Sequence, residues 1–289
     1  MNQFGFYRRA TLVFLLVDLA ACAVPATVAT TPPSPLVSTT YSTPIVFPSL
    51  TPIPSPTATR DWSQIAAGIE RREVEVVVPG TSLVETLILF RLDPAAVTIR
   101  VHYTPGRARA ISTWVAELSA KMPAPLLVVN GGYFSEDNHV TAFTVADGRA
   151  AGASYVDFGG MFSLRGGEAR VRSLTVAPWR PDERFDQAVQ GFPVLVRPGR
   201  TPYTNPDGMR SRRTAIAQTA TGAIVIVVAP RYTLTLTEFA AALIDPELDL
   251  AIAVNLDGGS STGYWARPGD NLESDSPVPA VIGVYPTVH

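Results

Sequence analysis

The sequence predicts an α+β fold, a single domain of mixed or antiparallel β-sheet with a few helices, over residues 61–289. Three observations predict it. Short β-branched or apolar runs bounded by Pro, Gly or Asp recur along this span. Only two segments combine helical periodicity with a start signal. The span itself is of single-domain length.

The elements follow in chain order. Strand-like runs occupy residues 74–78, 82–91 and 97–103. A first helix begins at Ser112, which reads as an N-cap; Glu117 sits in its first turns, and Trp114, Val115, Leu118 and Met122 fall at helical spacing. A continuous apolar strand at 126–129 comes next, then shorter candidates at 142–145, 160–164, 169–174, 192–196 and 213–217, and a long one at 222–229. Thr235-Leu-Thr-Glu238 offers capping-box chemistry to a second helix through Phe239-Ala-Ala-Ala-Leu-Ile. Strands at 250–254 and 281–284 complete the set.

Each helix leads, through a Pro-containing turn, into an apolar strand that ends in Asn followed by glycines. The first is Leu126-Leu-Val-Val-Asn130-Gly-Gly-Tyr-Phe134, and the second Leu250-Ala-Ile-Ala-Val-Asn255-Leu-Asp257-Gly-Gly-Ser-Ser261. Runs this continuous suggest strands buried on both faces. Polar groups at their ends are then held rigidly at the mouth of the core, and two such ends can converge on one cleft.

Composition narrows the chemistry. With 23 basic and 25 acidic residues the net charge is −2, which argues against a nucleic-acid partner. A single Cys excludes a disulfide scaffold, a Cys-rich zinc site and a Cys–Cys redox centre. The three histidines, His102, His139 and His289, do not suggest a three-His metal site. Catalysis is therefore expected from carboxylates, Arg, hydroxyls or backbone amides. No cofactor is required by the sequence; oxygen donors are abundant enough to leave a bound Ca²⁺ open, although their spacing specifies no cage.

The chain is expected to be exported. Arg8-Arg9 precede a short apolar stretch, and Leu19-Ala-Ala-Cys22 resembles the lipobox of bacterial lipoproteins, in which the Cys is acylated. Residues 1–22 are thus read as a lipoprotein-type signal with Cys22 as the lipidation site on the outer face of the membrane. Asp18 interrupts the apolar run, and a plain signal peptide is the alternative. Residues 23–60 form a linker: between 24 and 60 there are nine Pro, nine Thr and five Ser, with no acid and Arg60 as the one base. Such a stretch stays extended and solvated and serves as a stalk.

Four motifs can carry chemistry. In Asn255-Leu-Asp257-Gly258-Gly259-Ser260-Ser261-Thr262, Asn255 and Asp257 share one strand face. The glycines turn the chain and admit a ligand, and the hydroxyls and amides beyond them suit an anion or a sugar. A D-G-G turn between strands is the simpler explanation. In Asn130-Gly131-Gly132-Tyr133-Phe134, Asn130 can bind a polar ligand and Tyr133 or Phe134 can stack on a sugar; Phe134 fits the core better. Arg210, Arg212 and Arg213, ahead of Thr214-Ala-Ile-Ala, can grip a phosphate, with one Arg pointing inward. Gly191-Phe-Pro193 and its following strand are a weaker fourth.

Taken in order, N-G-G-Y-F, Q-G-F-P-V-L-V-R-P-G, R-R-T-A-I-A and N-L-D-G-G-S-S-T resemble the phosphodiester glycosidase family over most of residues 70–289. The chain departs from the family pattern in Thr141-Ala-Phe-Thr-Val-Ala-Asp-Gly, where many members carry Pro, and in the loop at 201–212. The resemblance implies hydrolysis of a sugar–phosphate glycosidic bond. It implies Asp257, Arg213 and Asn130 as catalytic residues, with Asp257 assisting an oxocarbenium-like centre and Arg213 neutralising the phosphate. The substrate-binding set is Asn255, Gly131, Gly132, Tyr133, Thr214, Gly258, Gly259, Ser260, Ser261, Arg210 and Arg212. A second carboxylate is unassigned; Glu136, Asp137 and Asp157 are loosely placed candidates. The expected partners are a glycosyl-phosphodiester or anionic glycan and, through the lipid, a membrane. Two other functions compete: an esterase using Ser260 or Ser261 with His102 or His139 as base, and a tethered, non-catalytic module binding anionic glycans.

Overall fold

The computed structural model describes residues 61–155 and 158–287. The signal at 1–22 with Cys22, the linker at 23–60 and Asp157 lie outside the described residues. Three sheets make up the domain, and every ladder in them is antiparallel, as the α+β expectation allowed.

The largest sheet orders its strands Ser63–Ala66, Ile69–Val77, Val84–Leu92, Ile224–Leu234, Ser211–Thr219, Leu250–Asn255, Val194–Arg197 and Thr201–Pro202. A second runs Asp270–Leu272, Tyr264–Ala266, Leu127–Asn130, Ala280–Pro286, Val97–Tyr103, and a third Arg149–Ala151, Thr144–Ala146, Gln187–Gly191, Gly160–Arg165, Glu168–Ser173. Strand alternation sorts the side chains. Phe90, Ile216, Ile226 and Val254 of the largest sheet meet Ile99, Val129 and Ile282 of the second and Phe162 and Val171 of the third in one buried core.

The outer faces are covered by the two helices. Leu89, Ala215, Ala217 and Val227 pack under Phe239 and Ala240 of helix Leu236–Ala242 and under Leu243, which caps its C-terminus. Val128 and Val281 pack under Ile111, Trp114 and Leu118 of helix Ile111–Ser119. The strand ends that the sequence marked are thus central in their sheets and buried on both faces, with Leu127–Asn130 fully enclosed.

The second helix carries the expected reciprocal capping box between Thr235 and Glu238, which is worth about 1 kcal/mol. The first helix differs from expectation. It starts one residue before Ser112, and its leading amides at Ile111 and Ser112 are bound by the Glu273 carboxylate, 2.6 and 3.0 Å away. A distant residue supplies the cap, so the local Ser signal misplaces it. Met122 lies beyond the helix and is exposed.

Candidate active site

The two Asn-ended strands meet. Asn130 is completely buried, and its Nδ2 donates to the Asp257 carbonyl at 2.8 Å. Its Oδ1 accepts from the Thr214 hydroxyl at 2.8 Å and from the Gly263 amide at 3.3 Å. Asn130 and Thr214 therefore brace the backbone that bears Asp257, and their polar groups are spent on protein. Gly131 and Gly132 are also buried and allow close packing against the Ala280 backbone and Val189. Of this motif, Tyr133 reaches the cleft, while Phe134 packs by the first helix.

The Asp257 turn needs its glycines for two different reasons. Gly259 has φ +62, which L side chains rarely adopt. Gly258 is extended; a Cβ there would lie 2.9 Å from the Arg212 carbonyl, so it is closeness rather than handedness that excludes a side chain. Ser261 is buried beside Asp257, and Ser260 is exposed with its carbonyl holding the Ser276 amide.

The Asp257 carboxyl is pushed up to about 6, because burial disfavours its charge. The Ser261 hydroxyl and the Gly258 amide, the latter at 2.9 Å, offset only part of that effect. No Arg or Lys among the described residues forms an ion pair with it. Beside it, Asn255 is buried and donates through Nδ2 to the Tyr133 hydroxyl at 2.5 Å and the Phe192 carbonyl at 3.0 Å. The Asn255 Oδ1 is buried with no partner among the described residues. The Tyr133 hydroxyl donates to the same Phe192 carbonyl at 2.7 Å. Burial first, and Asp257 second, raise the Tyr133 phenol well above its ordinary value, so it remains a donor.

The charges of Asp257 and Arg213 both act on the Tyr133 phenol, with opposite sign. Arg213 is buried on the face of the largest sheet that looks toward helix Leu236–Ala242. Its Nη2 binds Asp207 at 3.0 Å and the Met209 carbonyl at 2.5 Å, and its Nε reaches the Leu234 carbonyl at 3.3 Å. Burial lowers its guanidinium from the ordinary value and Asp207 opposes that shift; it stays a cation. Asp207 is thus the carboxylate partner of Arg213, supplied by the loop that precedes the three arginines.

The other two arginines are employed elsewhere. Arg210 makes a bidentate pair with Glu238 at 2.8 Å and also binds the Thr233 carbonyl. Arg212, one residue out of phase with Arg213, pairs with Asp275 at 3.0 Å and lies over the Tyr232 ring. Alternation along the strand separates them. Glu136 and Asp137 are exposed, and Asp137 pairs with His139. His102 Nε2 is hydrogen-bonded to the Tyr285 hydroxyl at 2.7 Å, and burial lowers its pKa to about 4. Neither histidine serves Ser260 or Ser261, so the esterase alternative lacks its base. Among the described residues no three His, Cys, Asp or Glu side chains gather as metal ligands.

An aromatic wall completes the cleft. Tyr133 and Phe192 are 4.8 Å apart, Tyr155 meets Phe192 edge-on at 5.2 Å, and Phe158 stacks on Tyr155 at 5.0 Å. Phe158 and Phe192 are about half exposed, and Tyr155 senses the Asp257 charge. Exposed rings beside a buried carboxylate suit the C–H face of a sugar. Sequence inspection finds only Tyr133 of this group, since the rest arrive from separate segments; the exposed Phe between Gly191 and Pro193 was the one local signal.

Residues 125–285, more than half of the chain, match the model of the phosphodiester glycosidase family. The chain belongs to that family. All four motifs, from Asn130 to Thr262, fall inside the matched span. The fold of this phosphodiester glycosidase domain is similar to the catalytic domain of zebrafish N-acetylglucosamine-1-phosphodiester alpha-N-acetylglucosaminidase auto-inhibited by its pro-peptide. The two share 17% identity with a TM-score of 0.59, covering 81% of this chain and 87% of the other. A hypothetical protein from Synechocystis is similar at 15% identity and TM-score 0.52, covering 76% and 62%. A protein of Burkholderia pseudomallei described as exported is similar at 12% and 0.52, covering 73% and 76%. At these identities the likeness is one of fold. No curated protein matches the sequence.

Proposed function

We propose that the protein is an extracytoplasmic hydrolase that cleaves the sugar–phosphate glycosidic bond of glycosyl-phosphodiesters in envelope or exopolysaccharide material. The observation that carries this is the partly buried Asp257 carboxyl, which among the described residues has no cationic partner and is pushed up to about 6, together with the Asn255 Oδ1 that has no partner among those residues and the exposed aromatic wall. A phosphate ester leaves as an anion and needs little help from a general acid. It needs a cation for the phosphate and a carboxylate at the anomeric carbon.

Each residue has a role in this reading. The sugar ring stacks on Phe192 and Phe158, and one of its hydroxyls donates to Asn255 Oδ1. The phosphate is bound by Arg213 in exchange for Asp207. Ionised Asp257 assists at the anomeric carbon. Water adds there, the C1–O bond breaks toward the phosphate, and the water's proton passes through Asp257 to solvent. The products are a reducing sugar and a phosphomonoester. Asn130 and Thr214 are positioning residues. Export through residues 1–22, anchoring at Cys22 and a stalk at 23–60 put this domain outside the membrane, facing such substrates.

The test is sugar release from a panel of sugar 1-phosphodiesters by the wild type, Asp257→Asn and Arg213→Ala. Release that both substitutions abolish in folded protein supports the proposal. No release from any diester, with anionic glycan still bound by Asp257→Asn, supports a tethered binding module.

A further inference from the structure

The aromatic wall does not end at the cleft. Phe158 and Phe192 also line a cavity of about 380 Å³, which shares Ser173, Val176 and Pro198 with a second of about 510 Å³. Together they form one groove that begins at the Phe158–Phe192 pair. Its apolar floor includes Val176, 70% exposed.

The groove is basic in a molecule that carries net negative charge. Arg197 lines the nearer cavity and Arg170 and Arg200 the farther one, and none of them has a carboxylate within ion-pair distance among the described residues. Arg197 lies over the Tyr203 ring at 5.9 Å, and Arg200 is held by the Ile244 and Asp245 carbonyls at 3.1 Å, which orients its charge without neutralising it. Arg172 is already matched by Glu183, and among the described residues Asp249 is the one acid on the lining. Fixed cations along an apolar floor select a ligand with repeating anions joined by rings.

We infer that this groove seats the neighbouring repeats of a polyanionic glycan, so that the protein works on a sugar-phosphate polymer held across several repeats. This rests on the proposed glycosidase activity, and it names the substrate class of the same site. Arg170 and Arg197 would contact phosphates flanking the scissile one.

The experiment compares two probes: the methyl ester of N-acetylglucosamine 1-phosphate, which fills the cleft alone, and a polymer of N-acetylglucosamine 1-phosphate. R170E/R197E should raise KM for the polymer about tenfold or more and leave kcat/KM for the methyl ester within about twofold. R149E, a charge reversal on an exposed edge strand, should move neither. Polymer binding is measured separately by fluorescence polarisation in Asp257→Asn, with and without R170E/R197E. Turnover of both probes with the same polymer KM in R170E/R197E overturns the groove and leaves the glycosidase intact. Loss of polymer binding in R170E/R197E without turnover of either probe keeps the groove and removes the glycosidase. Binding that R149E weakens equally is bulk electrostatics and overturns the groove.

Discussion

Replacing Asp257 by Asn should stabilise the domain at neutral pH while removing activity. The isosteric amide keeps an oxygen for the Gly258 amide, now 2.9 Å from the carboxylate, and has no charge to bury. In the unfolded chain this carboxyl ionises near 3.8, and in the folded protein near 6. Well below pH 3.8 both states hold the proton and the wild type bears no penalty. As pH rises toward 6 the unfolded state releases its proton first, so stability falls; above 6 the penalty is complete. At about 1.4 kcal/mol per pH unit, the gap corresponds to about 3 kcal/mol. An Asn side chain must also place two N–H groups near Ser261, which reduces the expected gain to about 2 kcal/mol. For a domain of this size that is a rise in Tm of about 4–8 °C. Thermal melts at pH 7.5 and pH 3.0 read it directly: the gain should be present at the first and absent at the second. A variant less stable than wild type at pH 7.5, or a gain equal at both pH values, would refute the claim that burial of charge controls Asp257.

Three further outcomes follow from the same geometry. Because ionised Asp257 does the work, kcat/KM should fall below pH 6 with an acid limb near that value, leaving about a tenth of the plateau at pH 5; a rate that rises on acidification would give Asp257 the opposite role. Asp207→Asn frees Arg213 of its competing anion, so inorganic phosphate should inhibit at about fivefold lower concentration while Tm falls by a few degrees; unchanged inhibition would separate Arg213 from the phosphate. Thr214→Val removes the 2.8 Å bond to Asn130 and should destabilise by about 1–2 kcal/mol. It should also lower kcat about tenfold with the acid limb unmoved, a limb shift instead placing Thr214 in contact with the charge.

Most of the frame was legible because its signals are local. The apolar runs at 97–103, 126–129 and 250–254 appear as strands Val97–Tyr103, Leu127–Asn130 and Leu250–Asn255, and the Thr235–Glu238 box starts the second helix where expected. Strand Gln187–Gly191 escaped notice because its ends are polar, yet they are buried: Gln187 accepts from the Val101 amide and Gln190 from the Tyr155 amide, each Gln sealing a backbone gap that only the tertiary fold creates. Edge strands of two or three residues, such as Thr201–Pro202 and Asp270–Leu272, carry too few side chains to show a period.

The site divides the same way. Asp257, Asn255 and Tyr133 sit at or just beyond the ends of apolar strands, and that placement alone marks them. Arg210 and Arg212 share Arg213's sequence signal, but their carboxylate partners Glu238 and Asp275 lie 28 and 63 residues away and no local pattern announces them. The aromatic wall of Phe192, Tyr155 and Phe158 and the Asp207 latch come from segments with no shared motif, so only the assembled sheets bring them together.

The central claim is that the bond broken lies between the anomeric carbon and oxygen, not between oxygen and phosphorus. Hydrolysis of a sugar 1-phosphodiester in ¹⁸O-labelled water, followed by mass spectrometry of the sugar and ³¹P NMR of the phosphomonoester, decides it. The account predicts the label in the anomeric hydroxyl and none in the phosphate; label in the phosphate would contradict it and make the protein a phosphodiesterase acting at phosphorus.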